Sequence, residues 1–275
     1  MLKTSLKILF TLVLLYGAGR FYVVYTDSQL SGNRAPYIQM LSTDSVIIHW
    51  LSEDEEASVV RYGKDEAMLD QIVIDEAEVK NHIVKLSQLE PGTRYFYRTG
   101  DPYKGDSADT AQQWFFTHPE GDVPTRIWVI GDSGEAGETV QQVRDAALHG
   151  MRKNPKPEPA VDAQQPAFSP LIDIWIALGD IAYRSGSNEQ FQWALIDTFG
   201  ELTGNTALWP VYGNHDDRRW TYFRIFDLPE NGEAGGLASY TENYYAIDYS
   251  NVHFVILDSQ ASSLSATGAM AEWLR

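Results

Sequence analysis

Cysteine is absent from the 275 residues. That excludes a disulfide framework, thiolate zinc sites, iron–sulfur clusters and a cysteine nucleophile, while leaving the compartment open. Positive charge is scarce: 21 Lys and Arg stand against 38 Asp and Glu, a formal charge of −17. Such a surface repels nucleic-acid backbones and gains nothing from anionic membranes. It also repels phosphate esters at long range, so a phosphate site here must be locally positive, and bound metal ions supply such charge directly. Long apolar runs are few. The N-terminal one, Ile8–Tyr16, follows Lys3 and Lys7 and precedes the small residues Gly17, Ala18 and Gly19. A charged start, a short apolar stretch and a small-residue end match a secretory signal peptide. A spanning helix needs about 20 apolar residues, and Arg20 interrupts this run. Phe21–Tyr25 is apolar again, so residues 1–25 read as a signal peptide or an uncleaved membrane anchor. Either implies export, to a secreted, periplasmic or cell-surface location. Internal repeats and low-complexity tracts are also missing, and 44% apolar composition is enough for a real core.

What is present changes character along the chain. From Ala35 to Thr117, short β-branched and aromatic runs recur: Tyr37–Leu41, Ser45–Leu51, Ala57–Tyr62, Gln71–Ile74, Asn81–Leu86, Thr93–Thr99 and Gln113–Thr117. Spacing of roughly ten residues predicts an all-β sandwich. Within Leu89–Tyr95, Pro91-Gly92 makes a turn and Tyr95 is placed to hydrogen-bond back across it as a tyrosine corner. Residues 35–119 resemble a fibronectin type III domain, read here as a support rather than a binding module.

After Asp122 the pattern alternates. Thr125–Ile130, Leu171–Leu178, Ala207–Tyr212 and Val252–Leu257 are apolar runs expected to be strands covered on both faces. Helix-like stretches lie at Glu138–Met151 and Glu189–Leu202, and Asn154–Pro170, with five prolines, reads as a surface loop. Such alternation predicts a layered α/β domain over residues 123–275.

Ligands in such a sheet gather outside the carboxyl ends of the strands. The first three runs close as Gly131-Asp132-Ser133-Gly134, Gly179-Asp180-Ile181-Ala182-Tyr183 and Gly213-Asn214-His215-Asp216. Glycine permits a sharp turn and close backbone approach at a strand tip. Asp132, Asp180 and Asn214 then offer oxygens to one small volume. Two carboxylates there raise each other's pKa unless a cation sits between them. Each Gly-Asp alone is ordinary turn or N-cap chemistry; the three in order are a stronger signal. Asp216 is left between two roles, orienting His215 or capping the next helix. Asp258 reads as turn chemistry. Arg184, Arg218 and Arg219 read as phosphate contacts or surface ion pairs, and Trp220, Tyr222 and Phe223 as core or pocket wall. His49, His82, His118, His149 and His253 are assigned no ligand role, with His253 expected inside the sheet.

Gly131-Asp132, Gly179-Asp180 and Gly213-Asn214-His215-Asp216 resemble the first three signature blocks of the metallophosphoesterases. Tyr183, three residues after Asp180, is similar to the purple acid phosphatase branch. Ala35–Gln39, Tyr62-Gly63 and Leu89–Tyr97 look like that family's N-terminal β-domain, and Tyr244–Ile247 with Val252–Ser259 like the stretch after its third block. The resemblance implies a layered α/β/β/α sandwich and a dinuclear centre, Fe(III) plus Zn, Mn or Fe(II). By it, Asp132 and Tyr183 would bind the first metal, Asp180 would bridge both and Asn214 would bind the second. A free phenol has a pKa of about 10, so a coordinated phenolate asks for ferric iron. His215 would contact phosphate and protonate the leaving alcohol. The implied activity is acid hydrolysis of small phosphate monoesters by hydroxide held at the centre.

The family's remaining ligands are histidines from two later blocks, a lone His and a Gly-His-x-His, and neither occurs here. The expectation is therefore a fragment, incomplete at the C-terminus, with weak metal binding and impaired turnover. A phosphodiesterase or nucleotidase on the same scaffold is the nearest alternative. A non-catalytic adhesion or scaffold protein with a degenerate metal site is the third.

Overall fold

The structure, a computed structural model, describes residues 2–100, 113–156 and 170–275. The β-branched and aromatic residues between 34 and 116 pair antiparallel as β1 (Arg34–Gln39), β2 (Val46–Gly63), β3 (Gln71–Leu86), β4 (Arg94–Thr99) and β5 (Gln113–Phe116). Hydrogen bonds run β1-β2-β4-β5, with β3 on β2 as well. The sheet folds over Ile38, Ile48, Val60, Val84, Tyr95, Tyr97 and Phe115 to form a β-sandwich.

Among the described residues, five strands replace the seven expected. Ala57–Tyr62 continues from Ser45–Leu51 because the acidic stretch between them stays in the ladder, shifted in register on either side of Glu56. Gln71–Ile74 and Asn81–Leu86 merge likewise. This arm is largely exposed, so main-chain pairing carries it without the apolar alternation that makes a strand readable. The tyrosine corner forms as expected: the Tyr95 hydroxyl accepts from the Glu90 N–H at 3.0 Å.

Beyond residue 122, β6 (Ile127–Ile130), β7 (Ile174–Ala177) and β8 (Leu208–Pro210) form a parallel sheet in that order. α2 (Glu138–Lys153) connects the first two. The second helical region is corrected to three pieces: α3 (Asn188–Phe191), a π-helical segment Gln192–Asp197, and α4 (Thr198–Thr203). Short α5 (Arg219–Ile225) and α6 (Ala269–Trp273) follow β8. β9 (Tyr245–Tyr249) and β10 (Val252–Ile256) pair with each other as a separate antiparallel sheet. Trp175 stacks on Trp128 at 5.3 Å, and Phe199 packs against both.

β7 is buried along its length, as expected. β6 is not: Ile127 and Val129 are 41% and 50% exposed. Its run of apolar residues therefore reports composition rather than cover on both faces. His253 departs too, lying half exposed and paired with Asp248, because it sits on the open side of β10. Residues 157–169 of the proline-rich stretch lie outside the described residues.

The two parts share one core and a polar seam. The Tyr37 hydroxyl and the Gln39 amide both donate to the Ile225 carbonyl, while Gln39 accepts from the Asp227 N–H. Buried Arg34 donates to Gln192 and Asn188. His49 joins Asn81 to Asp227, and the Tyr97 hydroxyl reaches the Gly204 carbonyl at 2.8 Å. Through these bonds the β-sandwich braces the elements that flank the strand ends.

Helix α1 (Leu2–Ser28) packs against α5 at its C-terminal end.

Candidate active site

Parallel strands deliver their carboxyl ends to one edge, and the ladder continues past each. Leu178 N–H donates to Ile130 O at 2.8 Å, Asp132 N–H to Gly179 O at 3.2 Å, and Val211 N–H to Ala177 O at 2.7 Å. Asp132 and Asp180 then turn with φ of +61° and +54°, a left-handed conformation that Asp tolerates better than most residues. Gly213 is required by contact: a Cβ there would lie 2.1 Å from the Asp180 nitrogen.

Three of the expected residues meet directly. The Tyr183 hydroxyl lies within hydrogen-bonding reach of both carboxylates, tightly on Asp132 Oδ1 and at 3.2 Å from Asp180 Oδ2. The other Asp180 oxygen accepts the His215 N–H at 2.9 Å, which ties the second strand end to the third. The His215 ring packs on Tyr183 with centroids 4.5 Å apart. Its Nδ1 sits 3.0 Å from the Arg184 carbonyl. A carbonyl can only accept, so Nδ1 carries the proton in this bond. Asn214 occupies the exposed tip of the same loop.

Asp216 is what the sequence left undecided. Neither orienting His215 nor capping a helix, its buried carboxylate accepts from the Ile181 N–H at 2.9 Å, the Ala182 N–H at 3.1 Å and the Gly213 N–H at 3.1 Å. It clamps the second and third strand ends together. Burial, with the Asp180 charge adding to it, pushes its pKa up to about 6 against the pull of the three N–H groups. Asp258 caps its own turn through Gln260, Ala261 and Ser262. Arg218 pairs with Asp27, and Arg219 lies over the Phe223 ring. Tyr222 is core, whereas Trp220 is half exposed.

Beside Tyr183 opens a pocket of 180 Å³ lined by Gly134, Glu135, Ala136, Arg184, Gln190 and Trp193. Neither Gln190 nor Trp193 carried a sequence signal, since both come from the helical stretch that follows the motif.

Among the described residues no cluster of three or more His, Asp or Glu side chains is arranged to hold a metal ion. The convergent oxygens of Asp132, Tyr183 and Asp180 are nonetheless a hard donor set that fits a small multivalent cation in chemistry. The phenol stands between two carboxylates where a positive charge would relieve their repulsion.

Residues 35–118 match the family described as purple acid phosphatase, N-terminal domain. Two curated relatives from Arabidopsis thaliana extend the similarity along the chain. Purple acid phosphatase 21 is 26% identical over 242 residues, 81% of this chain and 48% of that protein. Purple acid phosphatase 22 is 24% identical over 274 residues, 92% of this chain and 54% of that protein. The chain thus spans about half the length of the curated relatives it matches. The solved structure of PhoD superposes with a TM-score of 0.55 at 13% identity, over 85% of this chain and 53% of that one. That likeness shows the fold alone: the β-sandwich is followed by a mixed α/β region of the same kind.

Proposed function

We propose, from the premise that this chain is purple acid phosphatase-like, that it belongs to an exported hydrolase of small phosphate monoesters. The observation that carries the reading is the convergence of Asp132, Asp180 and Tyr183 beside His215 at adjoining strand ends. Residues 35–119 form the bracing β-domain of this reading. Residues 123–275 form part of a layered α/β/β/α metallophosphoesterase domain, and residues 1–25 the export segment. Asp132, Tyr183 and Asp180 would hold Fe(III), and Asp180 with Asn214 would hold Zn, Mn or Fe(II). When bound, the two ions supply positive charge for the phosphate oxygens and lower the pKa of water.

The chain's own residues do the rest. Asp216 fixes the two loops so that Asp180 and His215 keep their spacing. The Arg184 carbonyl holds His215 Nδ1, leaving Nε2 to hand a proton to the leaving alcohol oxygen. The Arg184 side chain brings local positive charge to the rim of an acidic molecule, and Trp193 walls the pocket. Replacing His215 by Asn in the complete gene product should lower kcat on a phosphate monoester by about 10²–10⁴-fold, with little change in metal content. Unchanged kcat would remove His215 from the proton transfer.

The exposed face of Trp193 beside the pocket favours one second reading, a nucleotidase that stacks a base there. Comparing turnover of a nucleoside monophosphate with that of glycerol phosphate, in the natural protein and in Trp193→Ala, separates the two. A preference for the nucleotide that vanishes in the variant supports the nucleotidase.

A further inference from the structure

The two ends of α1 live in different surroundings. From Ile8 to Tyr16 the apolar side chains are more than half exposed on all sides of the helix, from 57% at Ile8 to 72% at Tyr16. A helix apolar all round requires an apolar environment, and the described residues provide none for it. The most apolar 18-residue window of Lys7–Ser28 has a mean hydropathy of 1.7. Those 18 residues span about 27 Å at 1.5 Å each, close to a hydrocarbon core of about 30 Å. Those facts alone fit a cleaved leader as well as an anchor.

The inner end decides between them. The Asp27 carboxylate accepts from the Thr221 hydroxyl at 2.6 Å and pairs with Arg218 at 2.9 Å. It also receives the Asn188 N–H, the first of α3, at 3.2 Å to each oxygen. Ser28 and Leu30 are buried, and Asn188 donates back to the Ser31 carbonyl. Phe21 stands edge-on to Trp220 at 5.6 Å. Docking therefore begins two residues after Gly19, with no extended segment in between, and the helix runs unbroken through Gly17-Ala18-Gly19. Phe21, Tyr22, Tyr25 and Trp220 are all half exposed or more at this junction, the ring chemistry that settles at a membrane–water interface. Lys3 and Lys7 at the far end favour a cytoplasmic N-terminus, with the body on the outer side.

We propose that α1 is a retained membrane anchor riveted to the body through Asp27, so that the bilayer is a fixed partner of the face carrying Phe21, Tyr22, Tyr25 and Trp220. The rivet has a further consequence. Arg218 and Asn188 lie on the two loops that also carry His215 and Tyr183, and Arg218 N–H donates to the Ser185 carbonyl at 3.1 Å. The anchor thereby holds those loops, and the strand-end site faces substrate from a set position above the lipid. None of this rests on the phosphatase reading.

The test uses the full natural chain expressed in an exporting host. After alkaline carbonate extraction it should stay in the membrane pellet, with an intact mass that includes α1. A soluble species beginning at Arg20 or later overturns the anchor. Purified in detergent and placed in vesicles containing brominated phosphatidylcholine, its tryptophan emission should be quenched, and Trp220→Phe should remove most of that quenching. Equal quenching in both overturns the placement of the junction. Asp27→Ala should let added protease release the body from the vesicles about tenfold faster than the natural chain, as a loosened local structure does. Equal release rates would show a tether instead of a rivet.

Discussion

Asp216 holds three backbone N–H groups from two loops with a single buried carboxylate. Its replacement by Ala leaves those donors without a partner in a site water cannot fill well. Buried unsatisfied donors cost about 1–3 kcal/mol each in unfavourable cases, so Asp216→Ala should lower unfolding stability by about 2–4 kcal/mol in urea titration. Asn cannot restore it, because its amide nitrogen cannot accept from Gly213. His118 offers a second test. Burial holds its pKa down to about 3, with a bond to the Asp248 backbone opposing. The unfolded chain takes up that proton near pH 6.5, so the folded state loses stability as pH falls from there towards 3. A carboxylate raised by burial acts the other way: Glu242 is pushed up to about 7, and protonation in acid relieves it. The difference between natural chain and His118→Gln isolates the histidine. The variant should gain on the natural chain by roughly 1 kcal/mol per pH unit between pH 6 and 4, measured as urea midpoints.

At the scale of elements, the tyrosine corner is a small part with a definite load. Tyr95→Phe removes the only bond described for the Glu90 N–H while keeping the ring packed on Phe115. A loss of about 0.5–1.5 kcal/mol is expected, read from thermal melting. That corner was legible because Pro91-Gly92 and a tyrosine at fixed spacing are local chemistry. The three strand ends were legible for the same reason: glycine, a carboxylate or amide, and an apolar run before them. The long arm of β2 and β3 was not, since its middle is acidic and paired only through the main chain. The π-helical segment left no mark in the sequence either. Asp216 stayed undecided because its three partners lie in loops that only the parallel sheet brings together. Likewise the apolar run of β6 could announce a strand but not which of its faces would be covered.

Over the whole molecule, the seam between β-sandwich and α/β region decides how it unfolds. Arg34 is buried and spends its bonds on Asn188 and Gln192 across that seam. Truncating it to Ala strands those partners and should destabilise the protein by about 2–4 kcal/mol. The loss should appear as one shifted transition, coincident by far-ultraviolet circular dichroism and tryptophan fluorescence. Two separated transitions would mean that the parts fold independently despite their common core.

Tyr37, Gln39 and His49 lie on the β-sandwich, yet their polar atoms find acceptors and donors at Ile225 and Asp227. The β-sandwich is thus a fitted part, with a face cut for one particular neighbour. Transplanted onto another α/β body, it would need that body to present a carbonyl, an N–H and a carboxylate at matching heights. Recombination that swaps such units between relatives is consequently constrained to carry the helix end at 225–227 along with the strands it answers.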